Sequence, residues 1–181
     1  MNRSTLRRLL PSARTVCITA LTLLAMSAGA ASASADGKHA TERLVVRGDA
    51  LVKDAPCPGG LCLELAGGAF RGTTGSGAYT GSMQLRLADA FPNGEGGVCA
   101  PVSGQVVLGA GSPNRLVLTV AGDSCQDGAG NPTTTSFTGL ARFVVQYGTG
   151  TYARASGSGV AVFAEDVADH DRMTLIGRLR R

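Results

Sequence analysis

The chain has 181 residues and a formal net charge of +4, and Arg3, Arg7, Arg8 and Arg14 account for that excess. Seventeen basic residues less these four leave 13, against 13 acidic residues, in the 146 that follow Ala35. A neutral remainder excludes the net basic surface that nucleic-acid binding requires, and its length suits one domain that buries a core unaided.

The four arginines precede an apolar run, Val16 to Met26, and then small residues ending in Ala33-Ser34-Ala35. The run is too short to span a bilayer, and the pattern reads as a signal peptide over 1–35 cleaved after Ala35. Arg7-Arg8-Leu9-Leu10 faintly resembles a twin-arginine signal, but Leu6 stands where a polar residue is usual, so Sec export is the expectation. Cys17 lies inside the apolar run with no small residue before it, which argues against a lipid anchor. The expected product is secreted and unattached to the membrane. It has a flexible leader over 36–42 and a β-domain over 43–181.

Twenty-five glycines and no tryptophan follow Ala35. Interior glycines cost a helix about 1 kcal/mol each relative to alanine, so the composition favours short strands and tight turns. Arg43 to Val52 is the first strand, interrupted at Gly48. Leu61, Leu63 and Leu65 alternate with Cys62 and Glu64 in the second. The glycine-rich segment from Gly67 to Gly77 reads as loop or irregular edge. From Tyr79 to Leu87, Tyr79, Met83, Leu85 and Leu87 share one face, opposite Thr80, Ser82, Gln84 and Arg86.

Phe91 to Gly97 has the chemistry of a loop. Val98 to Leu108 and Leu116 to Val120 form a hairpin across Gly109 to Asn114, and Asp123 to Thr135 is a further loop with turn signals at Asp127-Gly128 and Asn131-Pro132. Leu140 to Tyr147 places Ala141, Phe143, Val145 and Tyr147 on one side and Arg142 and Gln146 on the other. Gly148-Thr149-Gly150 then reverses the chain, its two glycines supplying positive φ, and Thr151 and Tyr152 resume an extended path. Met173, Leu175 and Leu179 alternate with Thr174, Ile176 and Arg178 in a last strand. Arg178, Arg180 and Arg181 read as a solvated strand end.

About eight strands without helices make an all-β fold, a single antiparallel β-barrel or else a two-sheet β-sandwich. Glycines inside strands at Gly81, Gly104, Gly139, Gly157 and Gly159 favour the barrel, where strands bend sharply or lie close to a neighbour.

Four cysteines remain after Ala35: Cys57, Cys62, Cys99 and Cys125. An even number in an exported chain reads as two disulfides. Of three possible pairings, Cys57 with Cys62 closes a small loop around Pro58-Gly59. Cys99 with Cys125 joins the start of one strand to the end of the next in a hairpin. A zinc site would need two short Cys-x-x-Cys knuckles, which are absent.

Several stretches carry possible chemistry. Gly148-Thr149-Gly150-Thr151-Tyr152-Ala153 fits Gly-x-Gly-x-x-Ala, but a dinucleotide site needs a helix to open there, and Ser156-Gly157-Ser158-Gly159 opposes one. Glu165 to Asp171 collects Glu165, Asp166, Asp169, His170 and Asp171. It reads as a solvated turn, with a calcium site or a histidine base as alternatives; it has no EF-hand spacing, and the chain has no nucleophile elbow. Glu64, Gln84, Arg86, Arg142 and Gln146 lie on the polar strand faces. Facing out they are surface; facing in they are the polar groups of an apolar ligand pocket, and one step of register separates the two. Tyr79, Tyr147 and Tyr152 fall with the apolar residues and are expected in the core, with hydroxyls at the rim.

Phe137-Thr138-Gly139, followed by Gly148-Thr149-Gly150-Thr151-Tyr152-Ala153-Arg154-Ala155-Ser156-Gly157-Ser158-Gly159, resembles the signature of the allene oxide cyclase and dirigent superfamily. There a strand, a Gly-Thr-Gly turn, an aromatic, a small residue and Gly-x-Gly follow in this order. Val98 to Gly104 is similar to segments of exported actinobacterial relatives. Tyr147 departs from the pattern, standing where the family has a further glycine. The resemblance implies an eight-stranded antiparallel barrel. The family's cyclase and coupling residues align with nothing here, so it assigns no catalytic residue and no cofactor.

The functional expectation is a non-catalytic extracellular protein holding a small hydrophobic molecule. The alternative is a cyclase or isomerase that confines such a molecule, and a third reading is protein binding through the glycine-rich loops. The interior discriminates: an open cavity of roughly a few hundred Å³ with buried polar groups favours catalysis, an aliphatic one binding, and a filled barrel neither.

Overall fold

The computed structural model describes residues 40–55, 57, 58, 60–126, 136–166 and 168–181. The signal peptide, residues 36–39 of the leader and the turn signals at Asp127-Gly128 and Asn131-Pro132 lie outside the described residues. The strands are β1 (Thr41–Ala55), β2 (Leu61–Gly72), β3 (Gly75–Leu85), β4 (Phe91–Pro92), β5 (Val98–Leu108), β6 (Leu116–Gln126), β7 (Phe137–Gly148), β8 (Ser156–Glu165) and β9 (His170–Arg180). Their order is β3-β2-β1-β9-β8-β7-β6-β5-β4, and β3 also pairs with β5. The last pairing closes eight strands into an antiparallel barrel, with β4 outside it on the edge of β5. Closure leaves no free edge in the ring, and it excludes the sandwich.

Alternation decides what fills the barrel. Leu44 and Val46 of β1, Phe143 of β7, and Met173, Leu175 and Leu179 of β9 are almost fully buried. So are Val106, Leu116, Leu118 and Ala161 from the neighbouring strands. Each such aliphatic or aromatic side chain contributes about 1.5–3 kcal/mol by leaving water. Tyr79 is the largest of the fully buried group. Its ring fits because a Cβ at Gly48 or Gly68 would stand 2.7 or 2.5 Å from its Cε1.

The structure corrects several expectations. Gly67 to Gly77 is strand, turn and strand, because the glycines admit the Tyr79 ring and β2 slips register between Leu65 and Gly68. Asp123 to Gln126 continues β6 rather than opening a loop, held by pairs on both sides, including Cys99 with Cys125. β1 begins at Thr41, inside the expected leader. The first strand of the motif hairpin ends at Gly148, but Gly150–Tyr152 is a 3-10 turn and β8 starts only at Ser156. Gly150 has a φ of +58°, whereas Gly148 does not enter the left-handed region.

Tyr147 is 52% exposed, not core. The reason is a bulge: Val117 pairs with Tyr147 but Leu118 pairs with Val145, so Gln146 is passed over and the alternation changes sides. Tyr79 is core as expected, yet its hydroxyl is buried without a hydrogen-bond partner instead of reaching the rim. Tyr152 is half-buried, and its hydroxyl donates to the Thr74 carbonyl at 2.8 Å.

The antiparallel order gives the barrel two unlike ends. One carries both disulfides, Cys57–Cys62 and Cys99–Cys125, as the spacing predicts. The other gathers the β2–β3, β5–β6 and β7–β8 connections.

Candidate functional site

A small space opens toward the interior at the disulfide end. A cavity of about 40 Å³ is walled by Val52, Leu63, Met83, Leu85, Val102 and Phe163, and Glu165 and Asp171 line it as well. A water's share of liquid volume is about 30 Å³, so the enclosed part holds a water or the tip of a chain. The rest of the barrel is filled by the core side chains named above.

Both carboxyls reach this place by the period of two. Glu165 follows Ala161 and Phe163 along β8, and Asp171 precedes Met173 and Leu175 along β9. They are register partners across the two strands, and opposite residues on one face have Cβ atoms about 4.5–5.5 Å apart. Asp171 is 3% exposed, and its Oδ2 is buried without a hydrogen-bond partner. No cation pairs with either carboxylate among the described residues.

Burial, reinforced by the charges of Glu165 and then Asp49, pushes the Asp171 carboxyl up to about 7. Glu165 is also raised, by burial first and then by Asp169, Asp54 and Asp166. The Tyr79 phenol is raised in turn, by burial and then by Asp171 and Asp49. Asp171 therefore keeps its proton to a higher pH than an ordinary aspartate does. A neutral carboxylic acid there can donate a hydrogen bond or exchange a proton with a bound group.

The acidic stretch is thus not one solvated turn. Its outer half is: Asp166 Oδ1 accepts from the amides of Ala168 at 2.9 Å and His170 at 3.2 Å, which holds the Asp166 carboxyl below its ordinary value. His170 is exposed beside it, Nδ1 lying 3.8 Å from Asp166 Oδ2. Its inner half, Glu165 and Asp171, belongs to the cavity. Among the described residues no three acidic, histidine or cysteine side chains are grouped to hold a metal ion. Reading the last strand from Met173 instead of His170 hid Asp171; the row Asp171, Met173, Leu175, Leu179 was the signal.

The polar-face candidates lie elsewhere. Glu64, Arg86, Arg142 and Gln146 are exposed and Gln84 is half-buried, and none lines the cavity. Gln84 Nε2 donates to the Pro58 carbonyl at 3.2 Å, and Arg86 Nε sits 3.4 Å from Asp89 Oδ2. Gln146 Oε1 accepts from Gln105 Nε2 at 2.9 Å. Their strands turn apolar residues inward, so these side chains form the outer wall. Gly148, Thr149 and Gly150 sit at the opposite end, where Thr149 Oγ1 donates to the Pro113 carbonyl at 2.7 Å. The dinucleotide pattern at Gly148 to Ala153 spans a strand end and a short turn, with no helix to receive a pyrophosphate.

Comparisons with protein-family models, curated proteins and solved structures each found no match.

Proposed function

We propose that this is a secreted, non-catalytic binding barrel of the allene oxide cyclase and dirigent kind, which takes the apolar tip of a small molecule into its disulfide-end mouth. The observation that carries this reading is the size of the cavity, about 40 Å³, its walls apolar but for Ser124, Glu165 and Asp171. Confinement catalysis needs the reacting segment enclosed and oriented; this interior has room for a chain tip only. The two disulfides fit an oxidising compartment, and the closed eight-stranded ring is the architecture that the resemblance implies.

The test is a titration of the protein lacking residues 1–35 with n-hexanol, followed by methyl NMR. Shifts are expected at Val52, Leu63, Leu85 and Val102 and not at Leu44 or Leu179. A uniform absence of shifts at the mouth overturns the proposal.

The buried Asp171 carboxyl beside the half-buried Glu165 favours a second reading, an isomerase that moves a proton on a small hydrophobic substrate with Asp171 as acid and base. Turnover of an unsaturated epoxide that disappears in Asp171→Asn would put this reading in place of the first.

A further inference from the structure

The end of the barrel away from the disulfides carries a larger opening that shares no residue with the mouth. It is a cleft of about 340 Å³ between the β2–β3, β5–β6 and β7–β8 connections. Small-molecule sites generally occupy about 300–1,000 Å³. None of its lining residues is charged, although 17% of the chain is.

The lining has two components. The hydroxyls of Thr74, Ser76, Ser112 and Thr151 and the amide of Asn114 supply hydrogen-bonding groups of both senses. Beneath them the half-buried ring of Tyr152 supplies the accessible apolar surface, backed by the almost fully buried Phe70, Leu108 and Leu116. Neither component alone defines a ligand. Together they suit a molecule with a ring of neutral hydroxyls on its edges and C–H groups on its faces. A charged ligand would find no counter-charge in the lining, and a purely apolar one would leave the hydroxyls without water or partner.

The frame around the cleft is already ordered. Asn114 Oδ1 accepts from the Thr151 amide at 3.0 Å, Ser112 Oγ from the Asn114 amide at 3.1 Å, and the Tyr152 hydroxyl donates to the Thr74 carbonyl. The Arg181 guanidinium lies 4.9 Å from the Tyr152 ring centroid and pairs with Glu42. The Thr74 hydroxyl is buried without a partner. Turning it toward the cleft breaks no hydrogen bond, so a ligand hydroxyl meets an unmet need there. Binding to such a preformed frame has little ordering cost.

We infer that this cleft binds a neutral saccharide or similar uncharged polyol, its hydroxyls met by Thr74, Ser76, Asn114 and Thr151 and its apolar face resting on Tyr152. The juxtaposition of an uncharged hydroxyl and amide rim with an aromatic and aliphatic floor carries the inference. It is independent of what occupies the disulfide-end mouth.

The experiment is an amide NMR titration of the protein lacking residues 1–35 with methyl β-glucoside, N-acetylglucosamine and their β-linked dimers. Glucuronate, glucosamine and a neutral glycine-serine peptide serve as comparisons. At least one neutral saccharide is expected to shift the amides of Gly77, Ser112, Asn114 and Thr151, with weaker binding by both charged sugars. Tyr152→Ala is expected to weaken that binding about tenfold. Ser76→Trp, at an exposed lining position that leaves the core untouched, is expected to fill the cleft and abolish binding while the rest of the spectrum stays native. No shift with any neutral saccharide, charged sugars that bind as well, a peptide that binds more tightly, or binding unaffected by Ser76→Trp would each overturn the inference.

Discussion

Both ends of this barrel are laced by side-chain hydrogen bonds to backbone, and one of them adds covalent ties. At one end Cys57–Cys62 and Cys99–Cys125 tie strand termini covalently, and an unpaired acid is buried between the strands. At the other no cysteine lies among the described residues, and the rim is tied by side-chain hydrogen bonds to backbone: Thr149 with Pro113 and Arg115, Asn114 with Thr151, Thr73 with Val45, Tyr152 with Thr74. A cross-link acts mainly on the unfolded chain and does not depend on what the folded end buries. Each rim hydrogen bond contributes only while both of its partners are in place. Each end also buries one unmet polar atom, Asp171 Oδ2 at the first and Thr74 Oγ1 at the second.

The largest test of that contrast is removal of the covalent ties. Replacing Cys99 and Cys125 by serine is expected to cost about 3.5 kcal/mol, and the Cys57 and Cys62 pair about 2 kcal/mol, because the first closes the longer loop. Urea denaturation measures both, and equal losses would detach the effect from loop length. Next comes the acid. Asp171 has its folded pKa raised to about 7, from an ordinary 3.8. Between these values the folded protein holds a proton that the unfolded chain has released, so this group's contribution to stability is fully present below about pH 4 and is lost as pH rises through 7. Glu165, also raised, acts in the same direction. Asp166, lowered, acts the other way, its contribution being lost only as pH falls below its ordinary value. Asp171→Asn is expected to stabilise the protein by on the order of 4 kcal/mol at pH 8, with the gain vanishing near pH 4. Denaturation at pH 4, 6 and 8 checks it, and a gain independent of pH would show that the charge is not its source.

The smallest effect belongs to the hydrogen-bonded rim. Tyr152→Phe removes only the hydroxyl that donates to Thr74, and is expected to cost about 1 kcal/mol. Hydrogen exchange should quicken at the β2–β3 turn while the disulfide end is unchanged; exchange that quickens equally at both ends would erase the distinction between them.

Much of this architecture can be read from residue order. The alternation Ala141, Phe143, Val145 and the row Met173, Leu175, Leu179 both name their inward faces. The cysteine pairing follows from the hairpin that brings Cys99 opposite Cys125. The site was less legible. Asp171 looked like the end of a polar turn, since a charge on an inward position contradicts the rule by which inward positions are recognised. Tyr147 misled in the opposite sense, being an aromatic at an apolar step that a bulge moved outside.

Residue order by itself determined the strand periods, the absence of α-helix among the described residues and the two cross-links, because these depend on local geometry and on short chain separations. Only the tertiary structure decided that the interior is filled, that Asp171 faces the remaining cavity, and that an uncharged cleft lies at the far end. Cavity volume is a sum over side chains from eight strands, and the face a residue takes depends on bulges set by its pairing partner. Neither quantity is a property of any one segment.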